Sequence, residues 1–256
     1  MGLIEIAVSF FLLLLVLIIL VSGMFRLKTP RTASLEGIED PKAAEAYDRI
    51  SRTPPFKLIR RGFVKKLKSY DVKGTIVDIG CGPGYLLQAV AKELSENFLV
   101  GVDVSREMVE KAKANFESMG YGERVGFKQG SADHLPFEDG TQDFIISSLS
   151  LHHWGEPQAA FKEIYRVLKP GGQILIYDLR RDARRLFFYF VWFAQNIALR
   201  FMDAATIRKM NEPMGSLLAS YTKQEAEEMM KRTLFKEYKV EGKLGWMYIY
   251  GKKRET

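Results

Sequence analysis

The run Val77-Asp78-Ile79-Gly80-Cys81-Gly82-Pro83-Gly84-Tyr85 constrains this chain more than any other stretch. An apolar strand ends in an acid, and a glycine turn opens directly into a helix. Glycine at 80, 82 and 84 allows positive φ and lets a ligand come close to the backbone. The first N–H groups of the following helix then face that ligand. Asp103 closes a second apolar strand, Phe98–Val102, 19 residues beyond Gly84. A carboxylate at that place can hold both hydroxyls of a ribose. Together these features describe the nucleoside-binding half of a doubly wound α/β fold.

The remainder alternates strand and helix, which argues a parallel sheet. The pattern predicts strands near 75–79, 98–102, 125–129, 143–148, 173–178, 235–241 and 245–250. It predicts helices near 84–95, 105–119, 157–168 and 222–232. Pro170-Gly171-Gly172 ends one helix and turns into the fifth strand. Upstream, helices are expected over 41–51 and 56–69, separated by the breaker Thr53-Pro54-Pro55. In the second, Phe56, Ile59, Phe63 and Leu67 recur at helical spacing, and Lys57, Arg60, Arg61, Lys65, Lys66 and Lys68 fill the other positions. Its apolar face either covers the active site or sheet edge, or lies on a membrane surface.

The dinucleotide fingerprint G-x-G-x-x-G/A asks for a small residue at 85, where Tyr85 stands. The spacing here is G-x-G-x-G, with Asp78 two residues ahead. It resembles motif I of class I S-adenosylmethionine methyltransferases. The resemblance continues through Gly101-Val-Asp-Val-Ser-Arg-Glu-Met108, Gly130-Ser-Ala-Asp-His-Leu-Pro-Phe137, Asp143-Phe-Ile-Ile-Ser-Ser148 and Arg166-Val-Leu-Lys-Pro-Gly-Gly-Gln-Ile-Leu-Ile176. These blocks are similar to the branch that holds quinone-biosynthesis methyltransferases and their small-molecule relatives. The resemblance implies a Rossmann-like, seven-stranded, mostly parallel sheet with an antiparallel last strand. It also implies S-adenosylmethionine as cofactor. Asp78 would anchor the methionine ammonium, and Gly80 and Gly82 would pass close to that moiety, within a turn completed by Cys81 and Gly84. Asp103 would take the ribose. Val104 and Met108 would flank the adenine on one side, and Ala132 and Asp133 on the other. Ser148 would lie below the sulfonium. Met108 reads equally as helix packing, and Tyr47 either as packing or as part of an element closing over the cofactor.

Methyl transfer from a sulfonium needs no protein nucleophile and no metal; it needs alignment and exclusion of water. His152 and His153 follow the fourth strand at the edge where ligands bind, and either could act as a general base. A loop-fixing role for one of them is the alternative. One cysteine and three histidines, two of them adjacent, give no zinc-ligand spacing. The lone Cys81 excludes a disulfide within the chain, and it reads as a small residue fitting a turn rather than a reactive thiol.

Residues 6–25 carry no charge, and as a helix of ~1.5 Å per residue they would match a bilayer core. The sequence therefore predicts a transmembrane anchor over 1–25, a basic linker with helices over 26–72, and the methyltransferase domain over 73–256. A signal peptide fits poorly, since no basic start precedes the apolar run. Arg26, Lys28 and Arg31 follow at once, which places the body in the cytoplasm. The net charge of +7 is concentrated: residues 26–73 hold 13 Lys/Arg against 6 Asp/Glu, and Arg180-Arg-Asp-Ala-Arg-Arg185 adds to it. A basic collar beside an anchor suggests membrane lipids as partners, and no motif points to nucleic acid. Residues 183–220 form an expected cap, whose apolar helix 186–199 is either buried or dips into the membrane interface.

The leading function is thus a membrane-anchored methyltransferase acting on a small, lipophilic acceptor. The alternatives are an NAD(P)-dependent oxidoreductase and a non-enzymatic assembly factor. Tyr85 and the Asp133 loop count against the first, and the retained glycines and acids against the second.

Overall fold

The structure, a computed structural model, describes residues 3–26, 28–33, 41–117, 121, 124–201 and 214–255. Its elements run α1 (Leu3–Met24), α2 (Pro41–Ser51), α3 (Pro54–Leu67), β1 (Thr75–Ile79), α4 (Tyr85–Glu93), β2 (Phe98–Asp103) and α5 (Arg106–Glu117). Then come β3 (Val125–Gln129), β4 (Gln142–Ser148), a 3-10 turn at Leu151–His153, α6 (Pro157–Val167) and β5 (Leu168–Leu179). The chain closes with α7 (Arg185–Phe201), α8 (Met214–Ala219), α9 (Lys223–Lys231), β6 (Glu237–Gly242) and β7 (Trp246–Lys252).

The strands form one sheet in the order β3-β2-β1-β4-β5-β7-β6. The first five are parallel, and β7 inserts antiparallel between β5 and β6. Side chains of a strand alternate between faces, and the sequence is apolar on both. Val77, Ile79, Ile145, Ile174 and Ile176 join one core with α6 and α9. Ile76, Phe144, Ile146, Leu175 and Tyr177 join the other with α3 and α4. Helices therefore cover both faces, as a doubly wound sheet requires. Strand order reverses at β1, so the glycine turn sits at the switch point where such sheets bind ligands.

β5 starts earlier than expected. Leu168 already pairs with Gln142, and the register then shifts to Phe144↔Gln173, with Pro170–Gly172 in the bulge between them. α9 opens with a full capping box: Thr222 accepts from the Glu225 backbone, and Glu225 reaches back to Thr222.

The N-terminal segment departs most from expectation. Among the described residues no helix is long and apolar enough to cross a membrane. Side chains of α1 are described at 8–17 and 21 only, so the expected span over 6–25 is not supported. The described large apolar side chains of α1 are all exposed, from Leu15 at 42% to Leu13 at 68%. α1 packs beside α7, its C-terminal end against the start of that helix, where the Arg185 amide donates to the Phe25 carbonyl at 2.8 Å. The segment after it is no free linker. Arg26 pairs with Asp182 at 3.0 Å, Arg181 donates to the Thr29 carbonyl at 2.8 Å, and Thr32 donates to the Leu218 carbonyl at 3.2 Å. Arg31 donates to the carbonyls of Ala219 and His152 and lies over the Tyr221 ring.

In the expected cap, the described side chains of α7 are mostly at the surface: Leu186, Phe190, Trp192 and Phe193 are exposed, while Val191 is covered. The basic run 180–185 divides in two. Arg180 and Arg181 are buried, held by Asp182 and Glu225 respectively, and Arg184 and Arg185 are exposed. Residues 202–213 of the expected cap lie outside the described residues.

Candidate cofactor and acceptor site

Gly80, Gly82 and Gly84 take φ of 71°, 51° and 83°. At Gly80 any β-carbon would also collide with the Ser150 side chain, so the turn admits only glycine there. The amides of Gly80 and Cys81 both donate to the Val102 carbonyl, at 2.8 and 3.1 Å, binding the turn to the end of β2. Asp103 accepts from the Gly82 amide at 2.8 Å and the Ser105 amide at 3.0 Å. These bonds fix its carboxylate at the strand end. Cys81 is buried against Gly101, and burial pushes its thiol well up, so it fits the turn as packing.

Asp78 is the anomaly of the site. It is 1% exposed, and neither carboxylate oxygen has a hydrogen-bond partner among the described residues. Burial first, and the neighbouring Asp103 second, push its carboxyl well above the usual range. An unpaired buried carboxylate is costly, and a cation placed beside it removes that cost.

Asp78, Gly80, Cys81, Gly82 and Ser148 line one cleft. Tyr47 and Ser51 of α2 and Phe56, Ile59 and Arg60 of α3 form its other wall. Tyr47 stands over Gly82, with a ring carbon 3.5 Å from where a β-carbon would be. The apolar stripe of α3 is therefore used inward: Phe63, Val64 and Leu67 are buried and Ile59 reaches the cleft. Beyond Asp103, Val104 is 59% exposed, Asp133 is exposed and accepts from Ser131 Oγ at 2.5 Å, and Ala132 is half-buried. These residues give an open surface beside β2 and β3. Met108 is 2% exposed and packs inside α5, so as it stands it offers no surface to a ligand.

On the other side of the cleft the backbone is strained. Leu149 has φ 57°, the one positive φ outside glycine among the described residues. The loop it opens is anchored from below. The His152 amide donates to Asp178 Oδ2 at 2.9 Å, and His152 Nδ1 lies 2.7 Å from Asp178 Oδ1; both residues are buried. The His153 ring packs on that of His152, with centroids 3.7 Å apart, and is half-buried. A general base must come within hydrogen-bond reach of its proton. His152 thus anchors the loop, and His153 is the more accessible of the two expected bases. Asp178 was not anticipated, although the same signal that marks Asp78 and Asp103, an acid ending an apolar strand, marks it as well.

Comparison with known proteins bears directly on this arrangement. Residues 77–176, from β1 to β5, match the family model described as a methyltransferase domain. The chain carries a methyltransferase domain. It is 32% identical over 157 residues to a ubiquinone/menaquinone biosynthesis C-methyltransferase of Geotalea daltonii, covering 58% of this chain and 66% of that one. Other curated relatives are matched over a smaller share, 24% of a bifunctional biotin biosynthesis protein of Teredinibacter turnerae. The fold superposes on a candidate S-adenosyl-L-methionine-dependent methyltransferase of Methanococcus maripaludis with a TM-score of 0.63 and 25% identity, over 88% of this chain and 98% of that one. It shares the fold of a phosphoethanolamine N-methyltransferase of Haemonchus contortus that holds S-adenosylhomocysteine, with a TM-score of 0.61 and 19% identity, over 84% of this chain and 58% of that one.

The domain is that of an S-adenosylmethionine-dependent methyltransferase, and the residues present fit that cofactor. Asp78 would offer its unpaired buried carboxylate to the methionine ammonium. The glycine turn would let the chain of that moiety approach, and Asp103, fixed by the Gly82 amide, would take the ribose. When bound, the cofactor supplies a methyl group on a positively charged sulfur. The methyltransferase domain has then to hold it, align an acceptor and keep water out. Among the described residues no cluster of histidine, cysteine, aspartate or glutamate could hold a metal ion.

Proposed function

We propose that the protein transfers a methyl group from S-adenosylmethionine to a small, lipophilic acceptor. The observation that carries this reading is the orphaned Asp78 carboxylate, buried at the switch point beside a Gly80–Gly84 turn and an oriented Asp103. Its Geotalea daltonii relative is named for quinone biosynthesis, and Phe56, Ile59, Leu86 and Leu149 give this cleft apolar walls. The Asp103→Ala variant is expected to bind S-adenosylhomocysteine about 1.5–3 kcal/mol more weakly, since bonds to a charged acceptor are lost. Isothermal titration calorimetry measures this directly. Unchanged affinity would mean that the nucleoside lies elsewhere.

The same reading attaches the protein to a membrane through α1, with the methyltransferase domain on the cytoplasmic side. Its support is the uncharged run 6–25, the exposed apolar side chains at 8–17, and Arg26, Lys28 and Arg31 immediately after. The exposed aromatic residues of α7, Trp192 among them, lie beside α1 with Arg184 and Arg185 at the shared end. The full chain is expected to stay in the membrane pellet after an alkaline carbonate wash. Release into the supernatant would show that α1 does not embed.

A further inference from the structure

Three stretches far apart in the sequence meet at one rim of the domain. The Arg185 amide, at the start of α7, donates to the Phe25 carbonyl at 2.8 Å, and Arg26 and Arg184 pair as an antiparallel bridge. The turn between β6 and β7 joins them. The Phe187 ring lies against Gly245, where a β-carbon would collide with it, and it meets the Trp246 ring edge-on at 6.4 Å between centroids. Arg180 holds the turn from the end of β5. Its amide donates to the Gly245 carbonyl at 3.0 Å, and its guanidinium donates to the Lys243 carbonyl at 3.3 Å.

The strand register says which edge of the sheet this is. β5 ends where Leu179 pairs with Trp246, two residues beyond the pair of Tyr177 with Ser148. Ser148 and Leu149 line the cleft. The rim therefore lies on the carboxyl edge of the parallel strands, the edge that holds the cleft. The connection from α4 to β2, with Ser95, lies on the opposite edge. Apolar and cationic side chains share the surface of the rim. Phe25 is 62% exposed, Leu244 63% and Phe190 65%. Lys28, Arg184, Arg185 and Lys243 are exposed beside them. The acid in this stretch, Asp182, is already paired with Arg26 and Arg180.

We propose that this rim docks on an anionic lipid bilayer, so that the domain lies with the cleft edge of its sheet against the membrane. The proposal rests on the membrane reading above and goes beyond it, since attachment through α1 assigns no lipid contact to the domain itself. Apolar tips among lysines and arginines match a surface that is apolar inside and negative outside. A second copy of the chain is a poorer occupant. A two-fold interface sets a patch against itself. Here that would bring Arg184, Arg185 and Lys243 against their own copies, and like charges facing each other are costly.

The test uses the full chain reconstituted in vesicles, with flotation as the measure of retention. Leu244→Cys and Ser95→Cys are each labelled with a nitrobenzoxadiazole fluorophore. The unsubstituted chain, whose one cysteine is buried, gives the background. Both substituted side chains are exposed, so packing is undisturbed. In vesicles containing phosphatidylglycerol, the label at 244 is expected to brighten and to be quenched by lipids with a doxyl group near the headgroup. The label at 95 should do neither, and phosphatidylcholine alone should give a weaker signal at 244. Arg184→Gln and Arg185→Gln, added to the Leu244→Cys chain, should each weaken docking about fivefold and reduce the quenching. Equal quenching at 244 in both kinds of vesicle, or quenching at 95 rather than 244, would overturn the proposal. So would brightening at 244 with rising protein concentration in lipid-free detergent, which would assign the rim to a second copy. No quenching at 244 in a chain that floats with the vesicles would overturn the docking and leave attachment through α1 standing. A chain that does not float would overturn the membrane reading itself.

Discussion

The Asp178→Ala variant is expected to unfold about 1–3 kcal/mol more easily than the wild type, the range for leaving a buried hydrogen-bonding group without its partner. Asp178 is fully buried at the end of β5 and accepts from the His152 amide, His152 Nδ1 and the Leu179 amide. Alanine leaves those buried donors with no acceptor in place of the carboxylate, and each such group costs free energy comparable to a lost hydrogen bond. The loss is concentrated in one loop, so hydrogen exchange should accelerate first at 150–154. Urea unfolding gives the magnitude. A change under about 1 kcal/mol would mean that the His152 loop is held mainly by other contacts, such as Arg31.

Asp78→Asn is expected to do the opposite to the empty protein and to disable it as a binder. The native carboxyl titrates above its ordinary value because burial and Asp103 disfavour its charge. In the unfolded chain it titrates near 4. Between that value and the raised one, the native state holds a proton that the unfolded state has released, so stability falls as pH rises through the window. Asparagine removes that slope. At neutral pH the variant should be the more stable protein, because it no longer takes up a proton on folding, although its amide stays buried without a partner. Its affinity for S-adenosylhomocysteine should fall at the same time, because the ammonium loses its charged partner. Urea midpoints measured across pH for the two proteins check the slope. A parallel pH dependence would show that Asp78 is not the group responsible.

The fold was legible because both of its signals are local. The strands are apolar on both faces, with Val77 and Ile145 on one and Ile76 and Ile146 on the other, and glycine turns and capping residues mark the ends. The grouping of the candidate cofactor residues was legible for the same reason, since Asp78 lies in β1, Gly80 and Gly82 follow it, and Asp103 ends the adjoining β2. What was not legible depends on distant pairings. Arg60 reads in the sequence as one basic residue among several on a helix, and only the packing of α3 over α4 brings it to the cleft that Asp78 also lines. Arg180 and Arg181 read as part of a surface charge run, yet Asp182, Glu225 and the Thr29 carbonyl bury them. Nothing in the order of residues announces a partner more than 150 positions away.

Phe25, Arg26, Thr29, Arg31 and Thr32 are fastened to the domain, through the Phe25 carbonyl, the Arg26 side chain, the Thr29 carbonyl, the Arg31 guanidinium and the Thr32 amide. The domain therefore has almost no slack relative to α1. A tethered enzyme on a loose leash samples all headings and meets its substrate by swivelling. Here the heading is set. Whatever holds α1 also sets the direction in which the cleft faces, and a shift of α1 is passed through the Arg31 guanidinium to the carbonyl of His152, on the loop that Leu149 opens beside the cleft.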